Sequence, residues 1–225
     1  MNNTSIARSI EQIREEIRKA ALSSARQMGD ITLVAVSKKQ PDDRIDAALD
    51  AGLRVFGENR VQEAEGRWAH RRETIPDLSL HLIGPLQTNK TAQAVALFDV
   101  IESLDREKLA HVLAAEMKKQ DRKLDCFIQV NTGDEEQKSG IPPREAVSFS
   151  RFCREDLSLR IKGFMCIPPV SEEAAMHFAL LAKLASEADL PHLSMGMSAD
   201  FAEAIRFGST HVRVGSALFG ERPAV

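Results

Sequence analysis

Short β-branched, apolar runs alternate regularly with amphipathic stretches, and this alternation constrains the fold more than any other feature. Helical periodicity separates the runs, for example at 44–51, 108–118, 172–186 and 199–207, and Gly52 and Gly208 follow two of these stretches as helix stops. Strands that alternate with helices form parallel sheets. We count eight predicted strands, at 31–36, 54–56, 80–83, 98–101, 126–130, 159–164, 192–194 and 211–214.

The number and spacing of these units select between two architectures. Residues 31–220 divide into eight units of about 24 residues each, enough for a compact barrel. We therefore predict a single α/β domain over 1–225, a (β/α)8 barrel of the TIM type at 31–221. The alternative is an open, doubly wound sheet.

The first 28 residues form an additional helical segment. Its isoleucines recur at spacings of four, three and four residues, which places them on one helical face, and charged residues fill the opposite face. Acidic residues interrupt the segment too often for a transit peptide. We predict an N-terminal helix within 1–28 that packs onto the barrel through Ile6, Ile10, Ile13 and Ile17.

Composition excludes several classes of protein. The net charge of −3 provides no basic field for nucleic acid, and no apolar run approaches the roughly 18 residues of a membrane span. The three cysteines are too few and too widely spaced for a disulfide framework, and the six histidines lack metal-ligand spacing. We expect a reduced, cytoplasmic protein with no metal site.

A lysine stands where the first predicted strand ends. The strand runs directly into Ser37-Lys38-Lys39, and active sites of barrels lie on the face built from the loops that follow the strands. Partial desolvation there lowers the pKa of a lysine and makes it a nucleophile toward an aldehyde. The alternative is an ordinary solvated lysine; Lys39 is the neighbouring candidate, although strand alternation turns it the other way.

Small residues after the last two strands suggest an anion site. Ser198 occupies a predicted helix N-cap, and Gly215 and Ser216 open a short helix after strand eight. Together they would form a phosphate cradle, and the alternative is two plain helix caps. Arg213, between two valines of the last strand, must pair either with a structural carboxylate or with a ligand atom.

Several strand-end motifs resemble one known family. They cover about residues 31–221. One departure is Lys39-Gln40-Pro41, where the family usually has threonine and then a basic residue before the proline. The chain resembles the pyridoxal phosphate homeostasis proteins at Ala35–Lys38, Phe56–Glu63, His81–Lys90, Ser139–Ile141, Gly163–Pro168, Leu193–Ser198 and Gly208–Gly220.

The resemblance implies pyridoxal 5′-phosphate as cofactor and assigns a role to each site residue. Lys38 would carry it as an internal aldimine, and Arg213 would face the pyridine nitrogen, as in the related fold-type III alanine racemases. The phosphate would be held, partly through backbone N–H groups, by Ser198, Gly215 and Ser216. Asn59 and His81 would line the pocket near the ring, with Met195 as a further candidate.

The resemblance implies a role in vitamin B6 homeostasis, and the residues favour a non-catalytic one. A pyridine nitrogen facing a permanently cationic arginine stays unprotonated and is a poor electron sink. The racemases use a tyrosine from an added β-domain; this sequence has no tyrosine, and five residues follow Gly220. A cysteine or histidine could substitute, so a small amino-acid racemase stays an alternative, as does a phosphate-binding barrel without an aldehyde cofactor. Expected partners are pyridoxal phosphate and apo forms of enzymes that use it, and the expected state is a monomer or weak dimer.

Overall fold

A closed barrel of eight parallel strands forms the centre of the computed structural model, which describes residues 3–221. Each strand pairs with the next, and the last strand pairs with the first through Leu33–Val212 and Val34–Arg213. This closure confirms the predicted (β/α)8 barrel and excludes the open sheet. The strands are β1 Thr32–Val36, β2 Val55–Glu58, β3 Ser79–Leu82, β4 Val100–Leu104, β5 Asp125–Gln129, β6 Arg160–Met165, β7 His192–Met197 and β8 His211–Val214.

The helices surround the strands and cover their outer faces. Their apolar stripes pack against the strands in one continuous core, with Trp68 and Phe56 among its largest fully buried side chains. No helix within residues 3–221 is long and apolar enough to span a membrane. The α-helices are α1 Asn3–Ser23, α2 Asp42–Asp50, α3 Val61–Thr74, α4 Thr91–Leu97, α5 Glu107–Lys119, α6 Ala146–Glu155, α7 Ala174–Glu187, α8 Phe201–Arg206 and α9 Ser216–Phe219.

The predicted N-terminal helix is present, with its isoleucine face buried. It ends at Ser23 rather than near residue 28, because Ala25 adopts a positive φ of 54° that no helix can continue through. Helix α1 packs on α2, α8 and α9, the helices that flank β1 and β8. It therefore covers the seam where the barrel closes. The buried side chains on this face are Ile6, Ile10, Ile13 and Ile17.

Candidate functional site

The carboxyl ends of the strands surround a cavity of about 530 Å³. This is the end of the barrel where sequence analysis expects the site. The structure brings six of the eight predicted site residues together in this cavity: Lys38, Asn59, Ser198, Arg213, Gly215 and Ser216.

The turn that carries Lys38 is held from behind by buried polar contacts. Ser37 donates its hydroxyl hydrogen to Glu58 Oε1 at 2.7 Å, and Trp68 Nε1 donates to the same oxygen at 3.0 Å. Arg67 Nη1 donates to Glu58 Oε1 at 3.0 Å and to the Ser37 carbonyl at 3.2 Å. These bonds tie the end of β1 to β2 and α3, so the backbone of Lys38 is fixed next to the cavity.

The two adjacent lysines differ in their environment. Lys38 is half-buried and lines the cavity, whereas Lys39 is exposed and adopts a positive φ of 58°. The turn rotates Lys39 away from the cavity. Of the two lysines, Lys38 is therefore the one placed to react with a ligand in the cavity.

Ser198 does not cap the helix that follows it, which corrects the predicted N-cap. Helix α8 begins at Phe201, because residues 197–200 first close a turn in which the Asp200 N–H donates to the Met197 carbonyl and Asp200 Oδ1 accepts the Met197 N–H. Ser198 Oγ instead accepts N–H bonds from Gly215 at 3.3 Å and Ala217 at 3.4 Å, at the start of α9.

The contacts of Ser198 show that the cradle suits an anion. Backbone N–H groups after β8 already converge on an oxygen supplied by the loop after β7, which is the arrangement a phosphate oxygen requires. The hydroxyl can also donate, so Ser198 can turn to bind an anion that enters beside it. The cradle opens into the cavity that Lys38 lines.

Two glycines are required by the loops around the cavity. Gly196 has φ +92°, and a Cβ there would lie 2.6 Å from Ala204 Cβ and 2.9 Å from the Phe201 backbone in α8. A Cβ on Gly84 would lie 2.4 Å from the Asn59 carbonyl oxygen, so the loop after β3 can approach the loop after β2 only without a side chain.

Arg213 lies inside the barrel with its guanidinium at the floor of the cavity. It is 4% exposed, and it donates to Ser194 Oγ at 2.6 Å and to the Cys166 carbonyl at 2.8 Å. Ser194 in turn donates to Glu102 Oε2 at 2.5 Å, and the same oxygen lies 4.0 Å from Arg213 Nη1. Arg213 thus has both a structural carboxylate nearby and a face toward the ligand cavity.

Glu102 carries a negative charge beneath the arginine. Burial alone raises the pKa of this carboxyl group, but the hydrogen bond from His81 and the charges of His81 and Arg213 outweigh it and lower the pKa to about 2. His81 Nδ1 lies 2.6 Å from Glu102 Oε1. The next residue in the barrel interior is His211, whose pKa falls to about 4 mainly because burial disfavours its charged form. Arg213 and Glu102 therefore form a buried pair of opposite charges.

Two predicted site residues do not line the cavity. His81 lies deeper in the barrel and acts on the site through Glu102 and Ser194. Met195 is fully buried in the apolar core next to Ser194, and strand alternation turns it toward the helices.

Sequence analysis missed Glu102 and Ser194. The strand predicted at 98–101 stopped one residue before Glu102, so the carboxylate was not recognised as part of a strand. The available signal was a charged residue directly after an apolar run. The residues that Glu102 contacts lie on β3, β7 and β8, and only the folded barrel brings them together.

Cysteine and metal chemistry have little support at this site. Burial raises the pKa of the Cys166 thiol to about 12, so it stays protonated at neutral pH. Within residues 3–221, no three side chains of His, Cys, Asp or Glu are grouped so as to hold a metal ion. The groups that face the cavity are an amine, a buried guanidinium and an anion cradle.

A lysine at the end of β1, a phosphate-type cradle after β7 and β8 and an arginine in β8 define a barrel of the alanine racemase type. The sequence model of the family described as "Alanine racemase, N-terminal domain" matches residues 9–223. The alanine racemase of Bartonella henselae has the same fold, with a TM-score of 0.73 and 16% identity over all of this chain and 62% of that one.

Closer relatives define the particular family. The pyridoxal phosphate homeostasis protein of Pseudomonas aeruginosa is 40% identical, with 97% of this chain and 96% of that protein covered. PipY of Synechococcus elongatus, solved with PLP bound, is 34% identical with a TM-score of 0.81 over 96% of this chain and 100% of that one. The chain belongs to the family of pyridoxal phosphate homeostasis proteins.

Proposed function

We propose that this protein binds pyridoxal 5′-phosphate reversibly at Lys38 and serves as a carrier and buffer of that cofactor. The observation that carries the proposal is the meeting of Lys38, Arg213 and the Ser198 cradle in one cavity. A reactive aldehyde with a phosphate group and a ring nitrogen matches all three groups. PipY, a relative 34% identical, has been solved with PLP bound, which supports the same ligand here.

Each side chain has a role in this proposal. The Lys38 amine condenses with the aldehyde carbon and one water leaves, so hydrolysis reverses the bond and releases the cofactor. Ser198, Gly215 and Ser216 hold the phosphate, and Arg213 donates to the pyridine nitrogen. Asn59 contacts the ring from the cavity wall, while His81 fixes Glu102 below it.

We propose further that the protein is not an enzyme. The alanine racemases share an arginine that faces the ring nitrogen but add a tyrosine as second acid–base group, and this sequence has no tyrosine. Cys166, the thiol next to the site, is held protonated by burial. The name of the family, homeostasis protein, is consistent with storage and release. In this role the protein acts in the cytoplasm and exchanges cofactor with apo forms of enzymes that use it, as a monomer or weak dimer.

The visible absorption of the protein tests the binding proposal. Wild-type protein mixed with pyridoxal phosphate and dialysed should keep a yellow band, and Lys38→Ala should lose it. Lys39→Ala is the matched control, because Lys39 is exposed and turned away, and it should keep the full band. If Lys38→Ala kept the full yellow band and Lys39→Ala lost it, the cofactor would be linked to Lys39 instead.

Exchange of the Cα hydrogen in deuterium oxide tests the non-catalytic part. The loaded protein should leave several L-amino acids unexchanged over hours, since the sequence has no tyrosine to act as the second acid–base group. Steady exchange, lost in Lys38→Ala, would instead make the protein a racemase or a related enzyme.

A further inference from the structure

A second cavity, of about 710 Å³, adjoins the first at the same end of the barrel. Asn59 lies on the wall of both cavities. The second cavity is lined by the loops that follow β2, β3, β4 and β5, including parts of the Phe56–Glu63 and His81–Lys90 motifs that the cofactor site does not use.

Cationic side chains predominate in this cavity, although the whole chain is acidic. Three cations, Arg60, Lys90 and Arg106, face one carboxylate, Asp105. The uncharged lining adds amide groups such as those of Gln62 and Gln87. A local excess of positive charge in a chain of net charge −3 indicates a site for negative charge.

Arg106 is held in place before any ligand arrives. Its guanidinium donates to the Leu86 carbonyl at 2.9 Å and to Thr88 Oγ1 at 3.2 Å, and it forms an ion pair with Asp105. These bonds fix the loop after β3 against the loop after β4. The cavity wall is therefore ordered, and a ligand need not organise it.

Lys90 provides the charge that the protein itself does not neutralise. Arg60 forms an ion pair with Glu63 at 3.2 Å and Arg106 with Asp105, but no carboxylate within residues 3–221 forms an ion pair with Lys90. Lys90 is half-buried at the start of α4, where a cation receives no benefit from the helix dipole. A ligand anion would supply the missing partner.

We infer that this second cavity binds a small polyanion, carrying either phosphate or several carboxylates, beside the cofactor site. Its volume lies within the roughly 300–1,000 Å³ typical of small-molecule sites. Lys90 and Arg60 supply the charge, and Gln62 and Gln87 supply neutral hydrogen-bond donors.

Calorimetric titration tests this inference in a variant whose cofactor cavity cannot bind anions. Ser198→Asp places a carboxylate in the phosphate cradle, so this variant is the background for all titrations. Inorganic pyrophosphate and succinate, titrated separately, distinguish a phosphate site from a carboxylate site. Lys90→Met is added to remove the unneutralised charge, Arg60→Met provides a second variant, and Lys183→Met on α7 is the matched surface control.

Binding of either anion to the background protein is expected, with affinity about tenfold weaker after Lys90→Met, as when one charged hydrogen-bond donor is lost. Arg60→Met should also weaken binding, and Lys183→Met should not change it. The inference is overturned if neither anion binds, or if Lys90→Met and Arg60→Met bind as well as the control. The colour of wild-type protein with pyridoxal phosphate reports the proposed function separately, so the two can fail independently.

Discussion

At the scale of single residues, the site depends on a pair of buried charges. Arg213 and Glu102 are each removed from water, which is costly for both, and Ser194 bridges them with two short hydrogen bonds. The bridge satisfies one oxygen of Glu102, and His81 satisfies the other. The guanidinium is thereby fixed at the floor of the cavity.

This arrangement predicts how stability depends on pH. The folded pKa of Glu102 is about 2, below the unfolded value near 4.3, so its contribution is complete above about pH 4.5 and is lost as pH falls toward 2. The contribution is on the order of 3 kcal/mol. We expect Glu102→Gln to be less stable than wild type at pH 7 by an amount that shrinks as pH falls.

Urea unfolding of both proteins between pH 7 and 3 measures this difference. His211 also destabilises the folded state in acid, between about pH 6.5 and its folded pKa of about 4, and the charge of Glu102 raises that pKa. Both proteins are therefore compared in a His211→Gln background, in which this titration is absent. A difference that stays constant over the pH range would show that Glu102 does not carry a buried charge.

Residue types at strand ends could be predicted, whereas their partners could not. Lys38 is recognisable as a cation directly after an apolar strand, and Arg213 as a cation between two valines inside one. Glu102 and Ser194 are 92 positions apart and meet only because the barrel places β4 and β7 on opposite sides of one interior. Such contacts form only when the barrel closes, so the neighbouring sequence does not indicate them.

At the scale of elements, the loop after β7 determines where the anion cradle forms. The sequence predicted that Ser198 caps the next helix. The turn at 197–200 instead precedes that helix, and Ser198 contacts the start of α9. The sequence pattern could not show which residue precedes the helix, because Ser198 and Asp200 are both suitable capping residues.

Gly196, near the end of β7, allows the following loop to pack against α8, and its replacement tests this role. Gly196→Ala should lower the free energy of unfolding by about 1–3 kcal/mol, because a Cβ would strain a positive φ and strike α8. Gly66→Ala is the matched control, since Gly66 lies within α3 with open space around it, and it should stabilise by about 0.5–1 kcal/mol. Equal effects of the two changes in thermal unfolding would contradict the assigned role of Gly196.

At the scale of the whole molecule, helix α1 secures the closure of the barrel. It packs on α2, α8 and α9, which stand on either side of the β1–β8 pairing. The proposed cofactor site uses residues after β1, β7 and β8, so it is built largely on the strands that this seam joins. The strength of the seam should therefore affect the whole fold.

Shortening one isoleucine of α1 measures that contribution. Ile10 is 1% exposed, and Ile10→Ala should cost about 2–5 kcal/mol, the usual loss for a buried isoleucine. Leu22→Ala on the same helix is the control, because Leu22 is 58% exposed and its loss should cost little. Chemical denaturation measures the stability of both variants. An Ile10→Ala protein as stable as the Leu22→Ala control would contradict the role of α1.

The barrel itself was predictable from the sequence because each strand–helix unit repeats one pattern. A parallel sheet needs strands buried on both faces, and the apolar runs mark them. The predicted bounds of β8 match the structure, and the other strand boundaries differ by at most three residues. The ends of strands are set by pairing across the sheet, as at β4, where Leu104 pairs with Ile128 beyond a bulge.

Borohydride reduction followed by peptide mapping tests the central claim most directly. Protein incubated with pyridoxal phosphate, reduced and digested with trypsin should carry the phosphopyridoxyl mass on the peptide that contains Lys38, at close to one label per chain. A label found mainly on Lys39 or Lys90, or no label on a protein that is yellow in solution, would contradict the account.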